Sequence, residues 1–332
     1  MRFQPLLPAG PDALTSPQSR RTLLQERAML IDDIEYVIFR HPDLSAVRQF
    51  MIDFGLLDLA QHGDALYLRS YGDAPFSYMT QQGEAAFVGM GFRVSSQAAL
   101  ERLAVRFSTG IEDCPHPGGG RYVHTVDPEG RRLEFVFAAR RLEPVPSGGA
   151  PIAWNDAHAR NRLGRYQRPA YGPSHAQRLG HLAVFSPAPQ QLIEWYGENL
   201  GMKPSELIHD GNESNVLAAF MHLDKGAEWT DHHSLAIVGA PVAGLDHASF
   251  ECRDFDDVGM GHMLMQDRGY KHRWGIGRHF HGSQVFDYWT DPAGFHVEHF
   301  TDGDRVNEDT PTQLCPFGRD TLLQWGPPFP GL

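Results

Sequence analysis

Histidine is unevenly distributed along the chain, and its distribution gives the first indication of chemistry. The 332-residue sequence has 18 histidines, of which 13 lie between His175 and His299. Imidazole is the commonest metal ligand in proteins, and its pKa near neutrality also suits it to proton transfer. A metal centre or an acid–base site is therefore expected in the second half of the chain.

Composition excludes several classes of protein. Asp and Glu number 41 against 29 Lys and Arg, giving a net charge of −12, so a nucleic-acid partner is not expected. Cys114, Cys252 and Cys315 are far apart and form no CxxC pair, which argues against disulfides or structural zinc and indicates a cytoplasmic protein. No apolar run approaches the length of a membrane span, and the N-terminus does not resemble a secretory signal.

The elements that must position such a site recur in two similar halves. Residues 34–39 and 180–185 each predict a strand followed by an amphipathic helix, and these helices end at Gly55 and Gly201, 146 residues apart. Residues 89–94 and 247–252 form a second matching pair, and two DP-x-G turns that lead into strands form a third. The chain therefore reads as a duplicated half, each half containing two strand–helix–strands modules.

Patterning also predicts the domain organisation. An N-terminal extension covers residues 1–32 and includes a short predicted helix, and a first domain of repeated modules covers residues 33–140. A connecting segment rich in arginine, proline and glycine follows over residues 141–177. The second domain covers residues 178–300, and residues 301–332 form a polar, proline-rich tail.

Three segments of the second half carry a family resemblance. They are GHLAVF with His181, LDHASF with His247, and GRHFHGSQVFDYWTDPAGFHVEHF with Glu298. Together with the duplicated modules, they resemble the type I extradiol ring-cleavage dioxygenases of the vicinal oxygen chelate superfamily. The resemblance implies an α+β fold in which each of two similar domains combines two βαβββ modules in a curved, barrel-like mixed sheet. It also implies that the first domain is non-catalytic and that the protein assembles into homo-oligomers.

The same resemblance implies the ligands of a metal. His181, His247 and Glu298 would bind Fe(II), with Mn(II) as the alternative metal. Two imidazoles and one carboxylate on one face of a metal leave positions open for a catechol and O2, which brings the two substrates together. Strand alternation directs Glu298 to the same side as His296 and to the side opposite His299.

The repeat supplies an internal comparison for these ligands. The corresponding positions of the first half hold Glu35, Gly89 and Glu134. Because both histidines are missing there, the first half is expected to keep the scaffold without binding this metal.

A general acid–base is expected beside the metal. In the family, a His-x-x-Ala pattern lies on a strand, and its histidine precedes the second ligand by about fourteen residues. His233 and Ala236 fit this pattern here, since His233 lies fourteen residues before His247. A histidine with a pKa near neutrality suits the proton transfers of ring cleavage. The neighbouring His232 is the rival, but a one-residue slip along a strand reverses the direction of the side chain.

The resemblance extends to His279 and Tyr288, which lie 19 and ten residues before Glu298. Their implied role is hydrogen bonding to a substrate oxygen and to charge that develops during the reaction. His281 either lines the pocket or lies in a solvated loop. Relatives that act on carboxylated catechols often have an arginine where this chain has Trp274, which favours a neutral catechol, although Arg273 is adjacent.

Three other functions remain open. A keto-acid-type non-haem iron dioxygenase shares a two-histidine, one-glutamate site but not the run of residues around His279. A glyoxalase-like metal isomerase gathers ligands from both halves, and Glu35 and Glu134 are the residues it would recruit. A non-enzymatic ligand-binding homologue would keep the fold and lose the ligands, which this chain retains.

Overall fold

The computed structural model describes residues 30–148, 153–318 and 321–330. Nearly all of the predicted N-terminal extension, with its short helix, lies outside these residues. Within them, no helix is long and apolar enough to cross a membrane.

The first half forms one mixed sheet with two helices packed on it. Its strand order is β2-β3-β4-β1-β5-β8-β7-β6. The elements are β1 (Ile31–His41), α1 (Leu44–Phe54), β2 (Leu57–His62), β3 (Ala65–Arg69), β4 (Tyr78–Gln82), β5 (Ala86–Val94), α2 (Gln97–Arg106), β6 (Glu112–Asp113), β7 (Arg121–Val126) and β8 (Arg132–Phe137).

The second half repeats this arrangement with additional strands at both edges. Its sheet has the order β19-β10-β11-β13-β9-β14-β17-β16-β15-β20, and β12 pairs separately with β18. The elements are β9 (Ala176–Ser186), α3 (Pro189–Leu200), β10 (Met202–His209), β11 (Val216–Leu223), β12 (Thr230–Asp231), β13 (Leu235–Gly239), β14 (Gly244–Cys252), α4 (Phe255–Asp267), β15 (Lys271–His279), β16 (Val285–Thr290), β17 (His296–Thr301), β18 (Arg305–Val306), β19 (Gln313–Pro316) and β20 (Leu323–Trp325).

Each sheet joins two modules through an antiparallel pair of long central strands. These pairs are β1 with β5 and β9 with β14, and each central strand has a parallel partner on its other side. The buried and exposed positions of β5 and β14 follow the same pattern, so the repeat extends to which residues face the core. The prediction of an α+β fold built from four βαβββ modules is confirmed.

Helix ends follow the sequence signals. Asp43 caps α1 by accepting hydrogen bonds from the backbone N–H groups of Ser45 and Ala46. Both α1 and α3 are followed by a glycine with positive φ, 125° at Gly55 and 73° at Gly201. A side chain would be strained in that conformation, which explains why the two helices end where the sequence predicts.

The two halves share one hydrophobic core. Phe54 at the end of α1 stacks on His299 of β17, with ring centroids 3.7 Å apart. The Nε2 atom of His299 also lies 2.5 Å from the carbonyl oxygen of Phe54. The first half is thereby bonded to the back of the strand that carries Glu298, so it supports the sheet in which the predicted ligands lie.

The segment predicted as a C-terminal tail is integrated into the second sheet. Strand β19 pairs in parallel with β10, and β20 pairs antiparallel with β15. These short edge strands show no alternating apolar pattern, which is why the sequence did not indicate them.

Candidate metal centre

The three predicted ligands lie on three neighbouring strands of the second sheet. His181 is on β9, His247 on β14 and Glu298 on β17, and β14 lies between the other two. Ser249 of β14 is the partner of both His181 and Glu298 in the strand register. Residues paired across neighbouring strands point to the same face, so residues separated by 66 and 51 positions in sequence converge at one place.

The donor atoms of these side chains form a compact triangle. Nε2 of His181 lies 3.2 Å from Oε2 of Glu298, and Nε2 of His247 lies 3.4 Å from the same oxygen. The two imidazole nitrogens are 3.4 Å apart. Ligands bound at right angles about 2.1 Å from one metal lie about 3 Å from each other, so the triangle has the size of one face of an octahedron. Two imidazoles and a carboxylate are also a donor set that suits iron or manganese, and the residues therefore fit the metal that the resemblance implies.

Among the described residues, histidines are the ion-pair partners of Glu298. Burial acts to raise the pKa of Glu298, but hydrogen bonds with His181 and His279 outweigh it and hold that pKa well below its ordinary value. Burial lowers the pKa of His181, which favours the neutral imidazole that a metal requires. Burial also acts to lower the pKa of His247, but Asp246 and Glu298 raise it overall.

Two residues that orient the ligands were missed by sequence reasoning. The hydroxyl of Ser249 donates to Oε2 of Glu298, and a carboxylate oxygen of Asp246 lies 3.2 Å from Nδ1 of His247. Bonds of this kind fix the orientation of metal-binding side chains. Strand alternation provided a signal for Ser249, because it lies two residues after His247 and shares its face.

His233 lies in contact with the proposed centre but outside the triangle. Its ring is 4.2 Å from that of His181, centroid to centroid, and its side chain is almost fully buried. Nδ1 of His233 lies 3.0 Å from Nδ1 of His232, which leaves its Nε2 for other contacts. Burial, together with the nearby His181 and His232, lowers the pKa of His233 well below its ordinary value, so the ring is neutral before substrate arrives.

His279 and Tyr288 meet on the other side of the triangle. Nε2 of His279 is 2.9 Å from the Tyr288 hydroxyl oxygen and 3.3 Å from Oε1 of Glu298. Tyr288 is directly opposite Glu298 in the register of β16 and β17. Burial and the charge of Glu298 raise the pKa of Tyr288 well above its ordinary value, so its hydroxyl stays protonated and can donate a hydrogen bond.

A cavity of about 280 Å³ opens onto the histidines and the tyrosine of this group, and Glu298 lies buried behind them. His181, His247, His233, His279 and Tyr288 line it, whereas His232 is absent from its wall. The remainder of the wall is mainly apolar and aromatic, and part of it comes from the C-terminal segment. These residues include Phe185, Phe220, Val238, Trp274, Leu322 and Phe329.

His232 and His281, whose roles the sequence left open, both contact Glu206. His281 lines the cavity, its Nδ1 contacts a carboxylate oxygen of Glu206, and its ring stacks on Phe220. His232 lies on the other oxygen of Glu206, with Nε2 3.7 Å away. Burial acts to raise the pKa of Glu206, but hydrogen bonds from both histidines lower it to about 2. Glu206 therefore carries the charge that holds both rings in position.

The corresponding positions of the first half are occupied by local ion pairs. Glu134 accepts a 2.6 Å hydrogen bond from the Tyr36 hydroxyl and lies 2.9 Å from Nε2 of His116. Its other oxygen accepts a hydrogen bond from Arg132, and Glu35 pairs with Arg141. Both carboxylates are thus committed within the first half, which removes the basis for a centre built from both halves.

Several known proteins are similar to this chain in sequence. Residues 178–299 match the family model described as Glyoxalase/Bleomycin resistance protein/Dioxygenase superfamily. Metapyrocatechase 2 of Cupriavidus necator is 28% identical over 311 residues, covering 90% of this chain and 90% of that protein. The iron-dependent extradiol dioxygenase of Rhodococcus jostii is 24% identical over 297 residues, covering 85% of this chain and 93% of that protein.

Solved structures give the same fold. The Mn(II)-bound glyoxalase from Novosphingobium aromaticivorans matches with a TM-score of 0.75 and 20% identity, covering 90% of this chain and 93% of that one. Homoprotocatechuate 2,3-dioxygenase from Brevibacterium fuscum, in complex with 3,4-dihydroxyphenylacetate, matches with a TM-score of 0.73 and 23% identity, covering 90% of each chain. The sequence and structure matches together confirm the resemblance indicated by the three segments of the second half.

Proposed function

We propose that this chain, whose residues 178–299 match the Glyoxalase/Bleomycin resistance protein/Dioxygenase superfamily model, is an extradiol dioxygenase. It would insert both atoms of O2 into a catecholic ring beside the diol. The observation that carries the proposal is the arrangement around one cavity. His181, His247 and Glu298 form a triangle of donor atoms, and His233 and Tyr288 flank it on two sides.

The triangle would hold Fe(II). A bound iron would provide adjacent positions for the two catechol oxygens and for O2 and allow electrons to pass between them. Manganese accepts the same donor set, and one relative is named for iron while one structural neighbour contains Mn(II). Iron is the metal proposed, and activity after loading the apoprotein with each metal in turn tests that choice.

His233 is the proposed acid–base. Its lowered pKa supplies a neutral imidazole, and Nε2 is the nitrogen left available by the contact between its Nδ1 and His232. Nε2 would accept a proton from a catechol hydroxyl and later return it to a reacting oxygen. Proton transfer of this kind contributes about 10²–10⁴-fold to a rate.

Tyr288 and His279 are the proposed hydrogen-bonding pair. Because its pKa is raised, the Tyr288 hydroxyl remains a donor towards an oxygen of the substrate. His279 lies within hydrogen-bonding distance of both that hydroxyl and Glu298, so it orients the hydroxyl towards the triangle. Donors fixed before the reaction begins stabilise developing negative charge without reorganisation.

The cavity wall favours a neutral catechol with an apolar substituent. Phe185, Phe220 and Val238 would contact the ring and its substituent, and their burial in the complex would also exclude water from the reacting atoms. Arg273 is the cationic residue of the wall, and its guanidinium lies over the ring of Phe329, 5.4 Å from the centroid.

The decisive experiment is anaerobic reconstitution with ferrous ion, followed by a catechol and then air. A yellow ring-fission product formed with stoichiometric oxygen uptake is expected. Absence of oxygen uptake with every catechol of a panel, in protein shown to contain the metal, would exclude the proposal. Testing a keto acid and a glyoxalase substrate on the same preparation distinguishes the two related enzyme classes.

We also propose a cytoplasmic location and a homo-oligomeric assembly. Cys114, Cys252 and Cys315 are all free thiols, as expected in a reducing cytoplasm. Homo-oligomerisation is proposed from the family resemblance, and light scattering coupled to size-exclusion chromatography measures it directly.

A further inference from the structure

A second group of metal-ligating side chains lies on the opposite face of the same sheet. His262 of α4, His272 of β15 and Asp287 of β16 converge there. Oδ1 of Asp287 lies 3.0 Å from Nδ1 of His262 and 2.8 Å from Nε2 of His272. Asp287 directly precedes Tyr288 in an extended strand, so the two side chains point to opposite faces, and this cluster is separate from the proposed iron centre.

The buried charge of Asp287 is paired with histidines alone among the described residues. Its side chain is fully buried, and among the described residues no lysine or arginine lies within ion-pair distance of it. Its second oxygen accepts a 2.6 Å hydrogen bond from the indole N–H of Trp289. Burying a carboxylate is costly unless it is paired, and the described partners of Asp287 that can carry positive charge are His262 and His272. A divalent cation bound by all three side chains would supply that positive charge in place of histidine protons.

The geometry also allows an ion to enter. The side chains of His262 and His272 are 17% and 29% exposed, whereas Asp287 lies beneath them. The three side chains come from one helix and two strands, so their convergence does not arise from local sequence. The indole N–H on the second carboxylate oxygen is the kind of outer bond that orients a metal-binding carboxylate.

A further unpartnered nitrogen lies beside the group. His299 of β17 is directly opposite Asp287 in the strand register and is fully buried. Its Nε2 contacts the carbonyl oxygen of Phe54, and its Nδ1 has no hydrogen-bond partner among the described residues. The polar atoms on this face therefore exceed what the described protein groups satisfy.

We propose that His262, His272 and Asp287 bind a divalent cation of borderline softness, Zn²⁺ above all, with water as the fourth ligand. Two imidazole nitrogens and one carboxylate oxygen around an open position suit Zn²⁺ better than Ca²⁺ or Mg²⁺, which prefer oxygen ligands throughout. The ion would tie α4 to β15 and β16, behind Tyr288. This site does not depend on the proposed dioxygenase activity.

The test is zinc binding to the full chain whose first centre is already loaded with iron under anaerobic conditions. After incubation with Zn²⁺ near neutral pH and desalting, elemental analysis gives zinc and iron per chain. The informative variant is His272→Gln, because that side chain is partly exposed and the variant is expected to fold. His175→Gln is the matched control, since His175 is equally exposed at 29% and contacts Asp257 of α4 without a second histidine.

The wild type and His175→Gln should each gain one zinc per chain while keeping their iron. The zinc affinity of His272→Gln should be lower by more than about 10-fold, because removing a residue that only orients a ligand already causes a loss of that size. Zinc should also raise the melting temperature of the wild type and leave that of His272→Gln unchanged. Failure of the wild type to bind zinc, equal binding by His272→Gln, or zinc gained only as iron is lost would each overturn the proposal.

Discussion

The imidazole of His233 packs against that of His181, with centroids 4.2 Å apart, yet only His181 belongs to the triangle with Glu298. The difference arises from where each residue lies in the sheet. His181 is in the middle of β9, whereas His233 precedes β13, the parallel neighbour of β9. From this geometry we propose different roles for two chemically identical side chains, one to hold a metal and one to move a proton.

This arrangement predicts the behaviour of His233→Asn. Because His233 is outside the triangle, the variant should keep the metal content of the wild type. Loss of the acid–base should lower kcat by about 10²–10⁴-fold. Elemental analysis and oxygen uptake on the same preparation measure both quantities, and loss of metal would show that His233 had been misassigned.

The adjacent His232→Gln is the natural comparison. His232 is absent from the cavity wall, and its Nδ1 lies 3.0 Å from Nδ1 of His233. Its substitution should therefore lower kcat less than that of His233. An equal or larger loss would make His232 the acid–base.

Removal of the carboxylate ligand is predicted to release the metal. Glu298→Gln replaces a charged ligand oxygen by a neutral amide. Iron per chain should fall at least about 10-fold, because metal affinity falls by that factor even when a residue that only orients a ligand is removed. Glu134→Gln changes the corresponding position of the first half and should leave iron unchanged. Comparable iron loss in both variants would indicate a general structural effect.

Much of the fold was accessible from sequence because its signals are local and repeated. The first central strand (β1 and β9), the second central strand (β5 and β14), the glycine that ends a helix and the DP-x-G turn each occur once in each half. The strand register then turns this local information into geometry, because it brings His181 and Glu298 to opposite sides of Ser249. The three ligands themselves were predicted from the family resemblance of the segments that carry them, and the register accounts for their convergence.

The remainder depends on contacts between distant segments that have no local signature. Leu322 and Phe329 line the cavity from a region predicted to be a tail. Glu206 holds His232 and His281 from a strand that no motif connects to them. Such partners are determined by tertiary packing, which a single sequence does not reveal.

Tyr288 and His279 are predicted to act as a unit. Tyr288→Phe removes the hydroxyl near Nε2 of His279, and kcat should fall by about 10²–10³-fold, as after loss of one donor to developing charge. His279→Asn should have a similar effect, and the double variant should lose much less than the product of the two. If the fold-loss in kcat of the double variant equals the product of the two single fold-losses, the residues act independently.

Arg273 should discriminate between neutral and anionic catechols. Within the described residues, no carboxylate lies within ion-pair distance of its guanidinium, which packs over Phe329 in the cavity wall. Arg273→Met should leave kcat/KM for an alkylcatechol nearly unchanged. It should lower kcat/KM for a carboxylated catechol by about 10-fold, the effect of losing about 1.4 kcal/mol of interaction. A larger loss for the neutral substrate would mean that Arg273 serves the reaction itself.

The buried carboxylate of the first half predicts how stability depends on pH. Burial acts to raise the pKa of Glu134, but His116, Tyr36 and Arg132 outweigh it and lower the pKa from 4.5 to about 2. A carboxylate whose pKa is lowered on folding stabilises the fold at pH values above its ordinary pKa. This contribution is lost as the pH falls from about 4.5 towards 2. The shift corresponds to on the order of 3 kcal/mol at neutral pH.

Glu134→Gln should therefore be less stable than the wild type at neutral pH, and the difference should narrow as the medium becomes acidic. Urea unfolding at about pH 7 and about pH 4 measures the two free energies of unfolding for each protein. The control is Glu101→Gln on α2, whose exposed carboxylate should give no comparable difference. If the difference in free energy of unfolding between the wild type and Glu134→Gln is the same at both pH values, the carboxylate does not stabilise the fold through its charge. Glu134 would then contribute through its packing and uncharged hydrogen bonds alone.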